Sequence, residues 1–349
     1  MGSTTAPAEH TESMVATTVR ATPPTADPGG RVASCASLFL SVCLMSCSGS
    51  VATPAQTHAS NQSAWQVILT VKTTGVNLGI AGVALDGKGN LYLAEFDDDR
   101  IYKYSTSGKV LGQSGERGTG PGQLEGPDKL AFDAQGNLYV TEVGSQSAGT
   151  NSRIQKFSPS GMPLAQWGTF GSAPGQFMTP VGIAVNQQGD IYVADVGNHR
   201  IQKLSSLGQP LTQWHTVGSG TGESTEIGYD LALDATGNVY VTEPHPFSTG
   251  SDRIQKFSPA GEPLARWGGS GAGPGQFSQP TGLAVDAKGN VFVVDSGNQR
   301  IQELSSTGQY VAQWNGPPGG FIFTSKIALD GHGNMYVSTG SQVVKLVMK

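Results

Sequence analysis

The segment PVGIAVNQQGDIYVADVGNHRIQ (Pro180–Gln202) decides the fold, because it contains two apolar strands around one tight turn. Asn186 opens the turn, where its side chain can accept hydrogen bonds from the nearby backbone. Gly189 can take the positive φ that closes a hairpin. The segment therefore predicts an antiparallel β-hairpin.

The same hairpin occurs six times from residue 64 onward. The copies are Val83–Glu95, Leu130–Glu142, Ile183–Asp195, Leu231–Glu243, Leu283–Asp295 and Ile327–Thr339. Each copy continues with a third strand, and all but the last add a Ser-x-x-Gly turn and a fourth strand, as in Arg153–Gly168. Four short strands in a unit of about 50 residues are typical of a β-propeller blade.

The two ends of this repeat region predict how the ring closes. The last copy stops after its third strand, Gln342–Lys349, and the apolar run Trp65–Lys72 belongs to no complete unit. A blade alone leaves an apolar face open, so blades must stack and close. We expect Trp65–Lys72 to be the missing fourth strand of the last blade, since this pairing removes two exposed sheet edges.

The chain resembles the NHL-repeat family of six-bladed propellers. Two segments carry the resemblance, Pro180–Gln202 and Pro280–Gln302. Each begins with the motif P-x-G-I/L-A-V and ends with the motif D-x-G-N-x-R-I-Q. It implies an all-β fold of six blades, with four antiparallel strands in each blade. The His and Trp-Asp signatures of WD repeats and the glycine pairs of kelch repeats are absent from the sequence.

Composition excludes one class of function. Only 13% of the residues are charged, and the net charge is −5. A nucleic-acid binder needs clustered Lys and Arg for phosphate contacts. We therefore expect no nucleic-acid partner. Separately, we expect a monomer that binds a protein, a peptide or a small polar ligand.

The segment before the repeats has the features of an export signal. Arg31 precedes fifteen uncharged residues, Val32–Ser46, which is the length of a signal-peptide core and too short to span a bilayer. Leu44-Met45-Ser46-Cys47 resembles a bacterial lipobox, which implies lipidation of Cys47. A plain secretory signal cleaved elsewhere is the alternative.

We predict that the chain has three regions. They are a disordered N-terminus with signal peptide (1–47), a flexible tether (48–63) and the propeller (64–349). The protein would be anchored by lipid and face the periplasm or the cell exterior.

Acidic residues end the second strand of five copies. They are Glu95, Glu142, Asp195, Glu243 and Asp295, and each precedes an arginine of the same copy: Arg100, Arg153, Arg200, Arg253 and Arg300. The sixth copy has Thr339 in place of the acid and Gln342 near the place of the arginine. A ring of carboxylates could bind calcium. We favour structural ion pairs, because acid and arginine are lost together.

A second set of charged residues alternates with glycine at the start of the first strand. Copies 1, 3 and 5 have Gly82, Gly182 and Gly282, whereas copies 2, 4 and 6 have Lys129, Asp230 and Lys326. First strands line the channel of a propeller, so we predict a ligand site at its mouth. The predicted site comprises Lys129, Asp230, Lys326, Asp128, Tyr229, Glu142, Glu243 and His245. Solvated charges at an open mouth are the alternative.

An enzyme is the rival hypothesis. The peptide-amidating lyases share the NHL fold and hold zinc with several channel histidines, but here only His199 and His245 fall in loops at the rim. The streptogramin lyases are also propellers and use a His and a Glu with magnesium, a pair that Glu243 and His245 could imitate. We favour a scaffold without catalytic residues, metal or cofactor, and keep a metal-assisted lyase or hydrolase as the alternative.

Tryptophan ends the fourth strand in four copies. These residues are Trp167, Trp214, Trp267 and Trp314. Their regular position predicts packing between adjacent blades. Stacking on a carbohydrate is the alternative.

Overall fold

The computed structural model describes residues 65–70, 79–144, 151–215, 230–244, 252–317, 320–322, 325–340 and 342–347. They form six antiparallel sheets of four strands each. The first strands of the sheets contact one another in a closed cycle, in which the sixth returns to the first. This arrangement is the predicted six-bladed β-propeller.

The strands of the first three blades follow one another along the chain. Blade 1 contains β2 (Ile80–Leu85), β3 (Leu91–Glu95), β4 (Arg100–Tyr104) and β5 (Val110–Ser114). Blade 2 contains β6 (Pro127–Phe132), β7 (Leu138–Glu142), β8 (Arg153–Phe157) and β9 (Pro163–Trp167). Blade 3 contains β10 (Pro180–Val185), β11 (Ile191–Asp195), β12 (Arg200–Leu204) and β13 (Pro210–His215), with a short 3-10 turn at Val196–Asn198.

The remaining blades use β1 as well as β14 to β24. Blade 4 contains β14 (Leu231–Leu233), β15 (Val239–Glu243), β16 (Arg253–Phe257) and β17 (Pro263–Gly268). Blade 5 contains β18 (Pro280–Val285), β19 (Val291–Asp295), β20 (Arg300–Leu304) and β21 (Tyr310–Asn315). Blade 6 contains β22 (Ile327–Leu329), β23 (Asn334–Ser338), β24 (Gln342–Val347) and β1 (Trp65–Thr70).

The ring closes as the sequence predicts. β1 pairs antiparallel with β24, with Trp65 opposite Leu346 and Thr70 opposite Gln342. The last two residues of the predicted strand, 71 and 72, lie outside the described residues. Because one end of the repeat region completes the blade built by the other, this pairing removes two free sheet edges.

The turns between first and second strands are fixed by their opening residue. In blade 1, Asp86 Oδ1 accepts hydrogen bonds from the backbone N–H of Lys88 at 3.0 Å and of Asn90 at 2.8 Å. Gly89 takes a φ of 79°, which the positive-φ position of the turn requires. The predicted turn chemistry is therefore confirmed.

The core lies between blades. Each of six apolar clusters contains residues of two adjacent blades, and the tryptophans of β9, β13, β17 and β21 pack against four of these clusters. Trp167, for example, packs against a cluster that includes Tyr139 of its own blade and Ile183 of blade 3. Packing between blades, predicted for these tryptophans, is confirmed.

Among the described residues, no helix is long and apolar enough to cross a membrane.

Candidate binding face of the propeller

The start of each first strand and the end of each second strand lie at the same face of the ring. Pro127 is paired with Glu142, Pro180 with Asp195 and Pro280 with Asp295. The acidic residues and the channel residues that the sequence singled out therefore share one face, which we call the channel face.

Four of the five predicted ion pairs are present. The Nε–carboxylate distances are 2.9 Å for Arg153–Glu142, 2.9 Å for Arg200–Asp195, 2.5 Å for Arg253–Glu243 and 2.7 Å for Arg300–Asp295. Burial raises the pKa of Glu142, and hydrogen bonds from Arg153 and Gln155 oppose that shift. These four carboxylates are held inside their blades by arginine, as predicted.

The arginines have a second role that the sequence interpretation missed. In blade 3, the guanidinium of Arg200 also donates to the carbonyls of Ser172, Ala173 and Gln176 in the preceding link. Arg153 and Arg300 bind the corresponding carbonyls before blades 2 and 5. The recurring linker pattern G-x-x-P-G-Q, at Gly118, Gly171 and Gly271, was the signal for this role.

Blade 1 departs from this pattern, and the prediction of an ion pair there is wrong. Glu95 lies opposite Arg100 in the strand register, but the described residues contain no ion pair between them, and Glu95 Oε1 has no hydrogen-bond partner. Blade 3 uses Asn198 and Gln202 as further donors to its acid, and the same positions in blade 1 hold Asp98 and Tyr102. Burial, with Asp98 and Asp97 adding repulsion, raises the pKa of Glu95 to about 7.

Four charged residues converge at the start of the channel strands of blades 2, 4 and 6. Lys129 Nζ lies 2.6 Å from Asp230 Oδ2, and the electrostatic surroundings of Lys326 include both Asp230 and Asp128. Lys129, Asp230 and Lys326 are only 6%, 0% and 3% exposed. The alternative of solvated charges at an open mouth is therefore wrong. We call Asp128, Lys129, Asp230 and Lys326 the channel cluster.

The start of β6 and hydrogen bonds to a threonine and a serine position the two lysines of this cluster. The register of β6 shifts between Pro127 and Leu130, so Asp128 and Lys129 lie in a bulge. The Lys129 N–H donates to Thr141 Oγ1 at 3.0 Å, and the Lys326 N–H donates to Ser338 Oγ at 2.9 Å. Bulges are common beside functional sites because they redirect side chains out of the regular sheet pattern.

Asp230 joins three blades. Besides Lys129 of blade 2, its Oδ2 accepts from the backbone N–H of Leu283 in blade 5 at 3.0 Å, and its Oδ1 accepts from Leu231 N–H at 2.9 Å. A buried carboxylate with this many donors is compensated for the loss of water. Asp230 therefore fixes the blades around the axis.

The alternation of glycine and charge has a packing cause. A side chain at Gly82 would overlap the carbonyl oxygen of Asp128, and one at Gly282 would lie 2.9 Å from the carbonyl oxygen of Ser325. Glycine in blades 1, 3 and 5 thus makes room for the channel-facing backbone of the blades that carry the cluster. The sequence indicated the alternation but not this contact.

Asp128 is the least satisfied member of the channel cluster. Its Oδ1 is inaccessible to solvent and has no hydrogen-bond partner in the described part of the chain. Burial raises the pKa of Asp128 to about 6, while Lys326 and Lys129 oppose that shift. Burial also lowers the pKa of Lys326, against the attraction of Asp230 and Asp128.

Two other predicted ligand residues, Glu142 and Glu243, do not join the cluster. Glu142 and Glu243 are engaged by Arg153 and Arg253. Tyr229, His245 and the predicted lipidation site Cys47 lie outside the described residues. Within the described ranges, no group of three or more His, Cys, Asp or Glu is arranged to hold a metal ion.

Comparisons with known proteins agree with this architecture. The NHL repeat profile matches residues 177–204 and 277–304. The B-box type zinc finger protein ncl-1 of Caenorhabditis elegans is 30% identical over 59% of this chain and 25% of its own length. Peptidyl-glycine alpha-amidating monooxygenase B of Xenopus laevis is 33% identical over 37% of this chain and 15% of its own length. The chain thus spans a quarter or less of these two curated relatives.

A solved structure extends the likeness to most of the chain. Catalytically inactive virginiamycin B lyase from Staphylococcus aureus, determined with quinupristin, superposes with a TM-score of 0.56 at 14% identity, over 82% of this chain and 100% of that chain. At this identity the likeness concerns the fold alone. The closed ring of six four-stranded sheets identifies the chain as a six-bladed β-propeller, and the repeat match shows that it contains NHL repeats at residues 177–204 and 277–304.

Proposed function

We propose that this propeller is a non-catalytic binding scaffold that recognises a peptide, a protein segment or a small polar ligand at its channel face. The observation that carries the proposal is the partly exposed Asp128 side chain in the charged channel cluster, whose Oδ1 lacks a hydrogen-bond partner beside Lys129 and Lys326. A buried acceptor without a partner destabilises the protein, and this penalty is removed when the carboxylate turns toward a donor that a ligand brings to the channel face.

The chemistry of the cluster restricts the ligand. Asp128 offers an acceptor, whereas Asp230 is already engaged by Lys129 and two backbone N–H groups. A ligand with an amide, amine or hydroxyl donor suits Asp128. The closed ring and the bonds of Asp230 across three blades hold the site still, so little ordering is required when the ligand binds.

Catalysis receives less support from the described residues. The lyase alternative relies on Glu243 with His245, yet the Glu243 carboxylate already accepts hydrogen bonds from Arg253 and Gln255. His245 lies outside the described residues. The metal-assisted lyase or hydrolase therefore stays a prediction from the resemblance.

We further propose that the protein is exported and anchored by lipid at Cys47. Support comes from Arg31, the uncharged segment Val32–Ser46 and the lipobox-like Leu44–Cys47. All three cysteines lie in this segment, at positions 35, 43 and 47. Mass spectrometry of the mature N-terminus is the test. We expect a diacylated Cys47, and an unmodified N-terminus at any other residue would contradict the anchor.

The binding proposal is tested by selecting peptides from a displayed library of random sequences against the whole protein. The affinity of a selected peptide is then measured by calorimetry for the wild type, Asp128→Asn and a control, Asp190→Asn. Asp190 is an aspartate paired with Lys203 in a turn on the opposite face. We expect Asp128→Asn to weaken binding by about 10-fold to 100-fold, the value of a hydrogen bond to a charged group.

The control should bind as the wild type does. Equal affinity of all three proteins, or a library that yields no peptide dependent on Asp128, would contradict the proposal. The titrations are made at a temperature at which all three proteins are folded, because Asp128→Asn removes a counter-charge of the buried Lys326 and should lower the unfolding temperature.

A further inference from the structure

Five outer strands end at an equivalent position, and one of them differs from the rest. The last core residue of the fourth strand is Trp167, Trp214, Trp267 or Trp314 in blades 2 to 5, each opposite an isoleucine of the third strand. In blade 1 the residue opposite Ile101 is Ser114. The seam between blades 1 and 2 therefore lacks an indole.

The indole has defined neighbours in the four seams that contain it. Trp167 stacks on Tyr139 of its own blade, with ring centroids 6.2 Å apart and an interplanar angle of 19°. On its other side lies Gly208, in a turn of blade 3, where any larger residue would overlap the ring. The indole thus fills a slot between the second strand of one blade and a turn of the next.

The corresponding slot between blades 1 and 2 is open. Gly161 occupies the place of Gly208, and a side chain there would meet only the Ser114 hydroxyl, at 2.6 Å. A cavity of about 250 Å³ remains. Its apolar lining includes Tyr92, Ile101, Phe132, Leu138 and Phe157, of which Phe132 is half-buried and the other four are buried, and polar side chains complete the lining.

Phe132 fills this slot only in part. It contacts Tyr92 edge-on at 4.9 Å, whereas the corresponding residues in the other blades are Leu or Val. The remaining volume exceeds that of a cavity of about 150 Å³ lined by apolar side chains, which binds benzene. The space is therefore sufficient for an aromatic ring.

We propose that the cavity between blades 1 and 2 binds a small planar aromatic molecule of the indole class, in the slot that a tryptophan side chain fills in the four seams from blade 2 to blade 6. Aromatic walls favour a flat ring, since rings gain from stacked and edge-on contacts beyond the area that they bury.

The polar residues of the cavity favour a neutral ligand. Lys103 lies 4.8 Å from the ring centroid of Tyr92, and its Nζ is paired with Asp86 at 3.3 Å. This cation is therefore already compensated. The hydroxyls of Ser158 and Ser160 also line the cavity, 2.8 Å apart, and can accept a hydrogen bond from a ring N–H.

The test uses indole itself as the probe, titrated into the wild type, Ser114→Trp and Trp267→Ser and followed by calorimetry and ligand-observed NMR. We expect one site in the wild type and at least a 10-fold loss of affinity in Ser114→Trp, because the new side chain occupies the slot. Trp267→Ser should bind indole at a second site, because it opens the equivalent slot between blades 4 and 5.

Several results would overturn the proposal. The first is that the wild type binds no indole, the second that Ser114→Trp binds indole as tightly as the wild type does, and the third that Trp267→Ser has only one indole site. Each of these three results would contradict the proposal. If Ser114→Trp fails to fold, Ser114→Leu fills part of the slot and should also weaken binding. Asp128→Asn should bind indole as the wild type does, so failure here is distinguishable from failure of the channel-face proposal.

Discussion

Blades 1 and 3 have the same four strands, but they are fastened to the ring in different ways. In blade 3, Asp195 accepts from Arg200, Asn198 and Gln202, Arg200 binds the preceding link, and Trp214 fills the next seam. In blade 1, Glu95 has an oxygen without a partner and the tryptophan position holds Ser114.

This difference indicates where function lies on a repetitive fold. Residues that follow the repeat have hydrogen-bonded polar groups and are closely packed, so they serve as scaffold. Residues that depart from it leave an acceptor without a hydrogen-bond partner, as at Asp128, or a cavity, as at Ser114. Departures from internal consistency are the places where functional sites are expected.

The largest expected effect comes from breaking the arginine network of one blade. Arg200→Met removes the partner of buried Asp195 and the donors to the preceding link, so the free energy of unfolding should fall by about 3–5 kcal/mol. The matched change in blade 1, Arg100→Met, should cost less than about 1 kcal/mol, because no ion pair is lost. Urea unfolding of both variants measures the two values.

Similar losses in these two variants would show that blade 1 is held by its arginine after all. In that case the contrast between blades 1 and 3 would be wrong. A loss confined to Arg200→Met would sharpen it.

The next effect concerns pH and Glu95. Its pKa of about 7 in the folded protein lies above its ordinary value of 4.5, so the folded state holds the proton more strongly. The resulting stabilisation is complete below about pH 4.5 and is lost as pH rises to about 7, with a limit of about 3 kcal/mol. Glu95→Gln should remove this loss.

The measurement is the difference in unfolding free energy between Glu95→Gln and the wild type at pH 5 and at pH 8. We expect the unfolding free energy of Glu95→Gln, relative to that of the wild type, to be higher at pH 8 than at pH 5. Glu142→Gln is the control in blade 2, and it should destabilise the protein at pH 8, because Arg153 loses its partner. A difference for Glu95→Gln that is independent of pH would contradict the assignment.

The smallest expected effect is the difference in stability between alanine substitutions at two turn glycines. Gly208 and Gly161 have φ angles of 77° and 85°, so replacing either by alanine strains the backbone by about 1 kcal/mol. Only Gly208→Ala also displaces a tryptophan, which should add about 1–3 kcal/mol for overpacking. Equal unfolding temperatures of the two variants would mean that the slot between blades 1 and 2 is not open.

Sequence periodicity was sufficient for the fold. The turn residues Asp86 and Gly89 and their counterparts define each hairpin, and the unpaired runs at 65–72 and 342–349 predict the closure. Both features depend on local chemistry and on edge pairing, which are visible in the chain itself.

The site was predicted less completely because its contacts cross between blades. The positions of Lys129, Asp230 and Lys326 followed from the repeat, but their burial depends on backbone that approaches Gly82 and Gly282 from the next blade. The orphan oxygen of Asp128 depends on the bulge in β6. Ser114 stood in the tryptophan position of the sequence, but the size of the space beside it depends on Phe132 and on the turn at Gly161.

The most direct test of the central claim, that the channel cluster is the binding site, is amide hydrogen exchange with and without a peptide selected on the wild type. We expect added protection in β6 and in the segments 230–233 and 325–329, whose backbone carries the cluster. Protection confined to the outer strands β5, β9 or β13 would contradict the claim, since these strands lie at the far edge of their blades.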